Sequence, residues 1–232
     1  ERKQFAKALP LLEYYAANSP SLTRESRYEL SYCYYDAGQL TRAIDGFKQL
    51  SDERDSLGQN AMYLLGDCYL RTNNKAGARS AFQFCAFNSS NKKQQEISLF
   101  QYAKLSWELG YQDVALSEMQ RFIAEYPQSV YNNEAREILV SLLAGTNNYR
   151  EALEIYNSFR NPSAQMKKAY PRILYGRGVE LVNDQQLASA EELFGNIISM
   201  PANSITPSAQ FWKGEIAYRF GRQGEAIRFL AA

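Results

Sequence analysis

Histidine is absent from this sequence, which leaves Cys33, Cys68, Cys85 and scattered carboxylates as the side chains with an evident capacity for nucleophilic or metal chemistry. Without an imidazole, the Ser-His-Asp and Cys-His nucleophile systems are excluded, and so are zinc sites that use histidine. The three cysteines show no CxxC spacing and cannot all pair with one another, so they form neither a zinc signature nor a disulfide framework. They read as small buried apolar residues. Glu191 and Glu192 are adjacent, and neighbours on a helix point in different directions, so they are not a catalytic dyad. Neither GxxxxGK[ST] nor GxGxxG occurs. Lys92–Lys93 reads as a solvated helix start, and Asn88-Ser89-Ser90 fits the glycosylation pattern, a three-residue match that a bacterial context would void. The expectation is a protein that is not an enzyme, with no catalytic, cofactor-binding or metal-ligating residue.

Bulk properties agree with an interaction protein. The 232 residues are 45% hydrophobic and 22% charged, ordinary for a globular chain with a full core. A formal net charge of +1, with acids and bases interspersed, gives no electrostatic footprint for nucleic acid or an anionic membrane. No apolar run approaches the roughly 18 residues needed to span a bilayer, so no membrane insertion is expected of this segment.

The elements emerge from an internal repeat. The triplet Gly214–Gly221–Ala226, spaced 7 and then 5, recurs as Ser31–Gly38–Ala43, Gly66–Asn73–Ala78 and Ala103–Gly110–Ala115. It recurs again as Val140–Asn147–Ala152 and Gly178–Gln185–Ala190, so that successive units are 35, 37, 37, 38 and 36 residues apart. A large residue follows each alanine by four: Phe47, Phe82, Met119, Tyr156, Phe194 and Leu230. Each unit reads as a helix, a turn and a second helix. The middle residue suits the left-handed conformation that ends a helix where it is Gly or Asn, and the outer two lie where antiparallel helices approach closely. Glycine within a helix costs about 1 kcal/mol relative to alanine, so Gly66, Gly178 and Gly214 imply close packing that offsets it.

This pattern resembles the tetratricopeptide repeat (TPR), a unit of about 34 residues with small residues at the first and third of these positions and an aromatic four beyond. "LLGDCYLRTNNKAGARSAF" (64–82) and "WKGEIAYRFGRQGEAI" (212–227) carry the likeness best. It implies an all-α, right-handed TPR-like superhelix (α-solenoid) of antiparallel helix pairs, one array over 1–232. Residues 1–22 would be the second helix of a truncated unit, followed by units near 24–57, 59–94, 96–131, 133–169, 171–206 and a truncated 207–232, the whole a fragment of a longer protein. Helix pairs are expected near 24–37/40–51, 57–72/75–88, 95–109/112–125, 132–145/148–160, 171–183/187–199 and 207–220/223–232. Pro171 and Pro207 fall at first helical positions, whereas Pro10 should kink or shorten the first helix.

The resemblance also implies where function sits. TPR first helices line a concave groove that takes extended peptides or partner helices. By register, that groove includes Tyr28, Tyr32, Tyr35, Tyr63, Asp67, Arg71, Phe100, Lys104, Trp107, Tyr175, Phe211, Glu215, Tyr218 and Arg219, with Asp36, Glu108, Glu137, Ser141 and Arg172 beside them. Exposed aromatics with arginine have the composition of interaction hot spots. With 17 Tyr and 12 Phe to place, part of this set must instead serve packing between repeats. The Lys/Asn carboxylate clamp of chaperone-binding TPR domains is not visible, since Glu29, Leu64, Gln101, Ile138, Gly176 and Trp212 occupy the relevant position.

"FIAEYPQSVYNNEAREIL" (122–139) further resembles a repeat junction of Gram-negative envelope TPR proteins, such as the periplasmic coordinator of the Tol-Pal system and the outer-membrane assembly lipoprotein. Phe122, Tyr126, Pro127, Ser129 and Tyr131 carry it. The expected function is a non-catalytic scaffold that binds a protein or peptide, periplasmic or associated with the outer membrane, with no cofactor and no nucleic acid. The alternatives are a spacer or regulatory arm of a larger protein, a cytoplasmic location, and more remotely an RNA-binding helical repeat. The register itself is testable: Ala115→Leu should cost about 1–3 kcal/mol by overpacking, and Gln112→Leu less than about 0.5 kcal/mol. Equal small effects in urea unfolding would mean that the register is wrong.

Overall fold

The computed structural model describes residues 2–231, so residues 1 and 232 of the expected array lie outside the described residues. Thirteen helices are found among the described residues. They are α1 (Arg2–Asn18), α2 (Arg24–Asp36), α3 (Leu40–Lys48), α4 (Ser56–Arg71), α5 (Lys75–Ala86), α6 (Lys92–Glu108) and α7 (Gln112–Glu125). The remainder are α8 (Asn132–Gly145), α9 (Tyr149–Asn157), α10 (Ala164–Asn183), α11 (Leu187–Ser199), α12 (Thr206–Arg219) and α13 (Gln223–Leu230). The fold is all-α and built of TPR-like helix pairs. The helices group into two compact units, Glu1–Ala135 and Arg136–Ala232.

Both units obey the same local rules. The middle residue of every triplet is left-handed, with φ of 73° at Gly38, 57° at Asn73, 84° at Gly110, 61° at Asn147, 60° at Gln185 and 73° at Gly221. In each turn the following N–H reaches back to the same helical carbonyl, as in Gln39 N to Tyr34 O (2.8 Å) and Gln186 N to Leu181 O (2.8 Å). These bonds satisfy carbonyls that a helix C-terminus leaves unpaired. Gln185 adopts this conformation although it has a Cβ and lacks the short amide of asparagine.

The alanines of the triplets are buried in the seam between paired helices. The small first-helix residue faces the large residue that comes four after the alanine. A Cβ on Gly66 would stand 2.7 Å from the Phe82 ring, and one on Gly178 would stand 2.7 Å from Phe194. In the first unit, helices that are consecutive in sequence pack together, and α2 and α4 as well as α4 and α6 also touch. First helices therefore lie side by side.

Two prolines depart from expectation. Pro171 is not at a helix start: α10 begins two turns earlier, capped by Ser163, whose Oγ accepts from Met166 N at 3.3 Å. Burial of Met166 rewards the extra turns, and Lys167, whose carbonyl loses its usual donor, is exposed to water. Pro10 does not shorten α1, which runs unbroken past it with the proline exposed. Pro207 lies in the first turn of α12, as expected.

Asn88 is 4% exposed, and its side-chain oxygen accepts from Ser90 N (3.1 Å) and Ser90 Oγ (3.0 Å), so its amide is a turn-forming group inaccessible to glycosylation. The three cysteines are free and buried. Burial pushes the Cys68 thiol to about 11 and Cys85 to about 12, which leaves them unreactive at neutral pH. No described helix is long and apolar enough to cross a membrane.

Replacing Gln185 with Gly should relieve the left-handed strain and stabilise the fold by about 0.5–1 kcal/mol, after the loss to unfolded-chain entropy. Gly178→Ala should destabilise by about 1–3 kcal/mol, because the new methyl meets the Phe194 ring. Denaturant midpoints of the two variants, read against the wild type, check both signs.

Candidate interaction grooves

In the first unit, α1, α2, α4 and α6 enclose a groove of about 670 Å³. Phe5, Ala8 and Leu12 come from α1 at spacings of three and four, so they share one face. Tyr28, Glu29, Tyr32 and Cys33 come from α2, Asn60, Tyr63 and Leu64 from α4, and Gln94 from α6. The rings hold one another. Phe5 meets Tyr32 edge-on with centroids 4.9 Å apart, Tyr28 stacks on Tyr32 at 6.2 Å, and Tyr32 tilts against Tyr35 at 6.1 Å. Asn60 Nδ2 donates to the Tyr28 hydroxyl, and Gln94 Nε2 donates to Asn60 Oδ1 at 2.6 Å.

Beside this groove, the Tyr35 hydroxyl donates to Asp67 Oδ2 at 2.8 Å, and the Arg71 guanidinium lies over the Tyr35 ring at 5.4 Å. Burial raises the Tyr28 hydroxyl from 10.0 to about 12. Burial and then the Asp67 hydrogen bond raise Tyr35 to about 12.

Tyr28, Tyr32 and Tyr63 thus meet in one groove, with Tyr35, Asp67 and Arg71 adjoining. Phe100 is a correction. It is 1% exposed, stacked on Tyr131 at 4.8 Å and tilted against Phe122 at 5.4 Å, because the helix face at that point turns into the packing between repeats. Lys104 is half-buried and paired with Glu134 at 2.6 Å, and Trp107 is half-buried. The junction motif proves to be part of the same packing: Phe122 also contacts Tyr126 at 5.6 Å, and Asn132 Nδ2 donates to the Tyr126 carbonyl at 3.2 Å.

The second unit has its own groove, about 1060 Å³, to which Ser141, Arg172 and Tyr175 contribute. On α12, Phe211 and Tyr218 are 54% and 63% exposed, and Glu215 pairs with Arg219 at 2.9 Å. The groove residues missed from sequence include Phe5, Ala8, Leu12, Asn60 and Gln94. The spacing of Phe5, Ala8 and Leu12 on one helix face was the available signal. For Asn60 and Gln94 there was none, since polar residues on a helix read as solvated. Among the described residues, no cluster of His, Cys, Asp and Glu is arranged to hold a metal ion.

The raised tyrosines have a consequence at high pH. A hydroxyl that keeps its proton to about 12 in the fold but loses it near 10.0 when unfolded adds stability that is fully present below pH 10. That stability is lost as pH rises through about 12. Absorbance titration should show Tyr28 and Tyr35 ionising last, with Tyr28→Phe and Tyr35→Phe each removing part of the late signal. Complete ionisation near the ordinary value, with the helices intact, would contradict the burial.

Comparison with known proteins finds the same helical-repeat fold elsewhere. The family model for the anaphase-promoting complex, cyclosome, subunit 3, matches residues 1–85, and a tetratricopeptide-repeat model matches residues 175–232. No protein of curated function matches the chain. Among solved structures, a tetratricopeptide repeat protein from Parabacteroides merdae is similar at 19% identity and a TM-score of 0.51, over 90% of this chain and 77% of its own. YrrB, described as a TPR protein with an unusual peptide-binding site, is similar at 15% identity and a TM-score of 0.51, over 96% of this chain and 100% of its own. A chain of Naa15/Naa10 bound to HypK-THB is similar at 13% identity and a TM-score of 0.56, covering 98% of this chain and 34% of its own. At such identities the likeness is one of fold.

Proposed function

Because the chain is a tetratricopeptide-repeat protein, a fold that generally mediates protein–protein interaction, we propose that it is a non-catalytic scaffold that captures a partner protein or peptide in the first unit's groove. The observation that carries this reading is the aromatic lining of the groove. Phe5, Tyr28, Tyr32 and Tyr63 are brought from three helices to one concavity that stays open to solvent. The rings of Phe5, Tyr28 and Tyr32 brace one another and Tyr63 meets Phe82 edge-on, so a partner side chain would meet a surface with little rotamer freedom left to lose. Tyrosine supplies both apolar area and a polar tip, which suits an anchoring pocket. Glu29 at the groove wall favours a partner segment that carries a cation beside its apolar anchor.

The proposal includes a place in the bacterial envelope, supported by the junction resemblance at Phe122–Tyr131. The partner is then an envelope protein. The immobilised chain and its Tyr32→Ala/Glu29→Lys variant are to be compared for retention of proteins from a bacterial envelope extract. The chain should retain a protein that the variant binds at least about tenfold more weakly, with the helical circular dichroism of the two unchanged. Equal retention would remove the groove from the proposal. Recovery of the tagged full-length gene product in the cytosol would remove the envelope.

A further inference from the structure

The second unit's groove differs in charge from the first. Its wall is a stripe of α10 in which Gln165, Lys168, Arg172 and Tyr175 succeed one another at helical spacing, facing Ser141 and Tyr149, and no Asp or Glu lines it. Residues 161–179 carry four cations, Lys167, Lys168, Arg172 and Arg177, and no acid. Three other cations of this unit are ion-paired within the fold: Arg177 with Glu180 at 2.9 Å, Arg219 with Glu215 at 2.9 Å, and Arg222 with Glu191 at 2.7 Å. Lys168 and Arg172 are exposed and form no ion pair among the described residues. They stand four apart on one helix face, where like charges repel. Glu137, an acid near the start of α10, is engaged by the Ser163 hydroxyl at 2.9 Å.

Beyond Arg172 the groove's tyrosines are held in place by their neighbours. The Tyr149 ring lies so close over Gly176 that a Cβ there would stand 2.4 Å from it, and the Tyr149 hydroxyl donates to Asn147 Oδ1 at 2.8 Å. The Tyr175 hydroxyl accepts from Trp212 Nε1 at 3.3 Å.

We propose that this groove binds an extended acidic peptide segment of a partner protein, with one carboxylate on Lys168 and a second on Arg172. Four residues along a helix advance about 6 Å, and two residues along an extended chain advance about 6.6–7 Å. The two carboxylates therefore come from acidic residues separated by a single residue. The side chain between them points away, and apolar groups flanking the pair lie on Tyr149 and Tyr175. A guanidinium takes its carboxylate through two parallel hydrogen bonds, which fixes the peptide's register at Arg172.

This inference rests on the reading of the chain as a protein-binding scaffold but not on the first unit's groove. A random phage-displayed dodecapeptide library is to be selected against the full chain, and the recovered peptides synthesised and measured against variants. The expected peptides carry two acids one residue apart, bind more weakly as salt rises, and lose about tenfold or more in affinity against Lys168→Glu/Arg172→Glu. That variant should keep its melting temperature, and Lys93→Glu, a charge reversal in the first unit, should bind as the wild type does. Selection of nothing, or of peptides without acidic pairs, overturns the proposal, as does affinity unchanged by the double reversal. Peptides that depend on Tyr32 but not on Lys168 and Arg172 overturn it while leaving the first groove standing. A single-stranded RNA that binds through the same two residues more tightly than any acidic peptide also overturns it, in favour of nucleic acid.

Discussion

How closely two paired helices can approach governs most other features of this fold, and the approach is decided where a first-helix residue meets a ring or branched side chain of the second helix. At Gly66 and Gly178 the rings of Phe82 and Phe194 occupy the space a Cβ would need. Glycine costs helix stability at such a place, and the ring's dispersion contacts against bare backbone offset that cost. In the first repeat the roles are exchanged: Ser31 fills the seam, and Gly46 on the second helix yields, since a Cβ there would stand 2.0 Å from Ser31 Oγ. Within the first unit, hairpins joined in this way stack so that α2 touches α4 and α4 touches α6, and their remaining faces line a groove.

Polar groups specify the joints between pairs. Gln59 Nε2 donates to the carbonyls of Asn88 and Asn91, both at 3.0 Å, while its Oε1 accepts from Asn91 N at 2.7 Å. A buried amide in α4 thereby shapes the turn that leads into α6. Asp55 caps α4 through Gly58 N at 2.7 Å and takes Arg24 from α2 at 2.7 Å; those bonds hold its carboxyl at about 2. The other ion pairs are also at least partly open to solvent, and exposed pairs add little. Chain direction at the joints thus depends on a few buried or half-buried amides and on one capped aspartate.

Because the seam lies on the inner faces of each hairpin, the groove faces are free to differ. One unit presents mutually braced tyrosines and a glutamate, the other two unneutralised cations over a tyrosine floor. This separation of duties explains why Phe100 could be mistaken for a groove residue. It occupies the same register as Tyr28, Tyr63 and Tyr175, and only its contact with Tyr131 and Phe122 assigns it to packing.

Helix boundaries, turn positions and buried alanines were legible in the sequence because each depends on neighbours within one hairpin. The 7-and-5 spacing locates the left-handed residue, even where Gln185 fills it, and the buried seam beside it. Short-range rules failed where a remote contact outweighed them: Pro171 sits inside α10 because capping by Ser163 and burial of Met166 extend the helix upstream. Membership of the grooves was decided by tertiary structure. Through the stacking of helices far apart in sequence, Phe5, Asn60 and Gln94 converge from α1, α4 and α6, and Ser141, Tyr149 and Asn203 are brought to the groove that Lys168 and Arg172 line. The period alone determines that a groove exists; which side chains reach it depends on how each pair rests on the next.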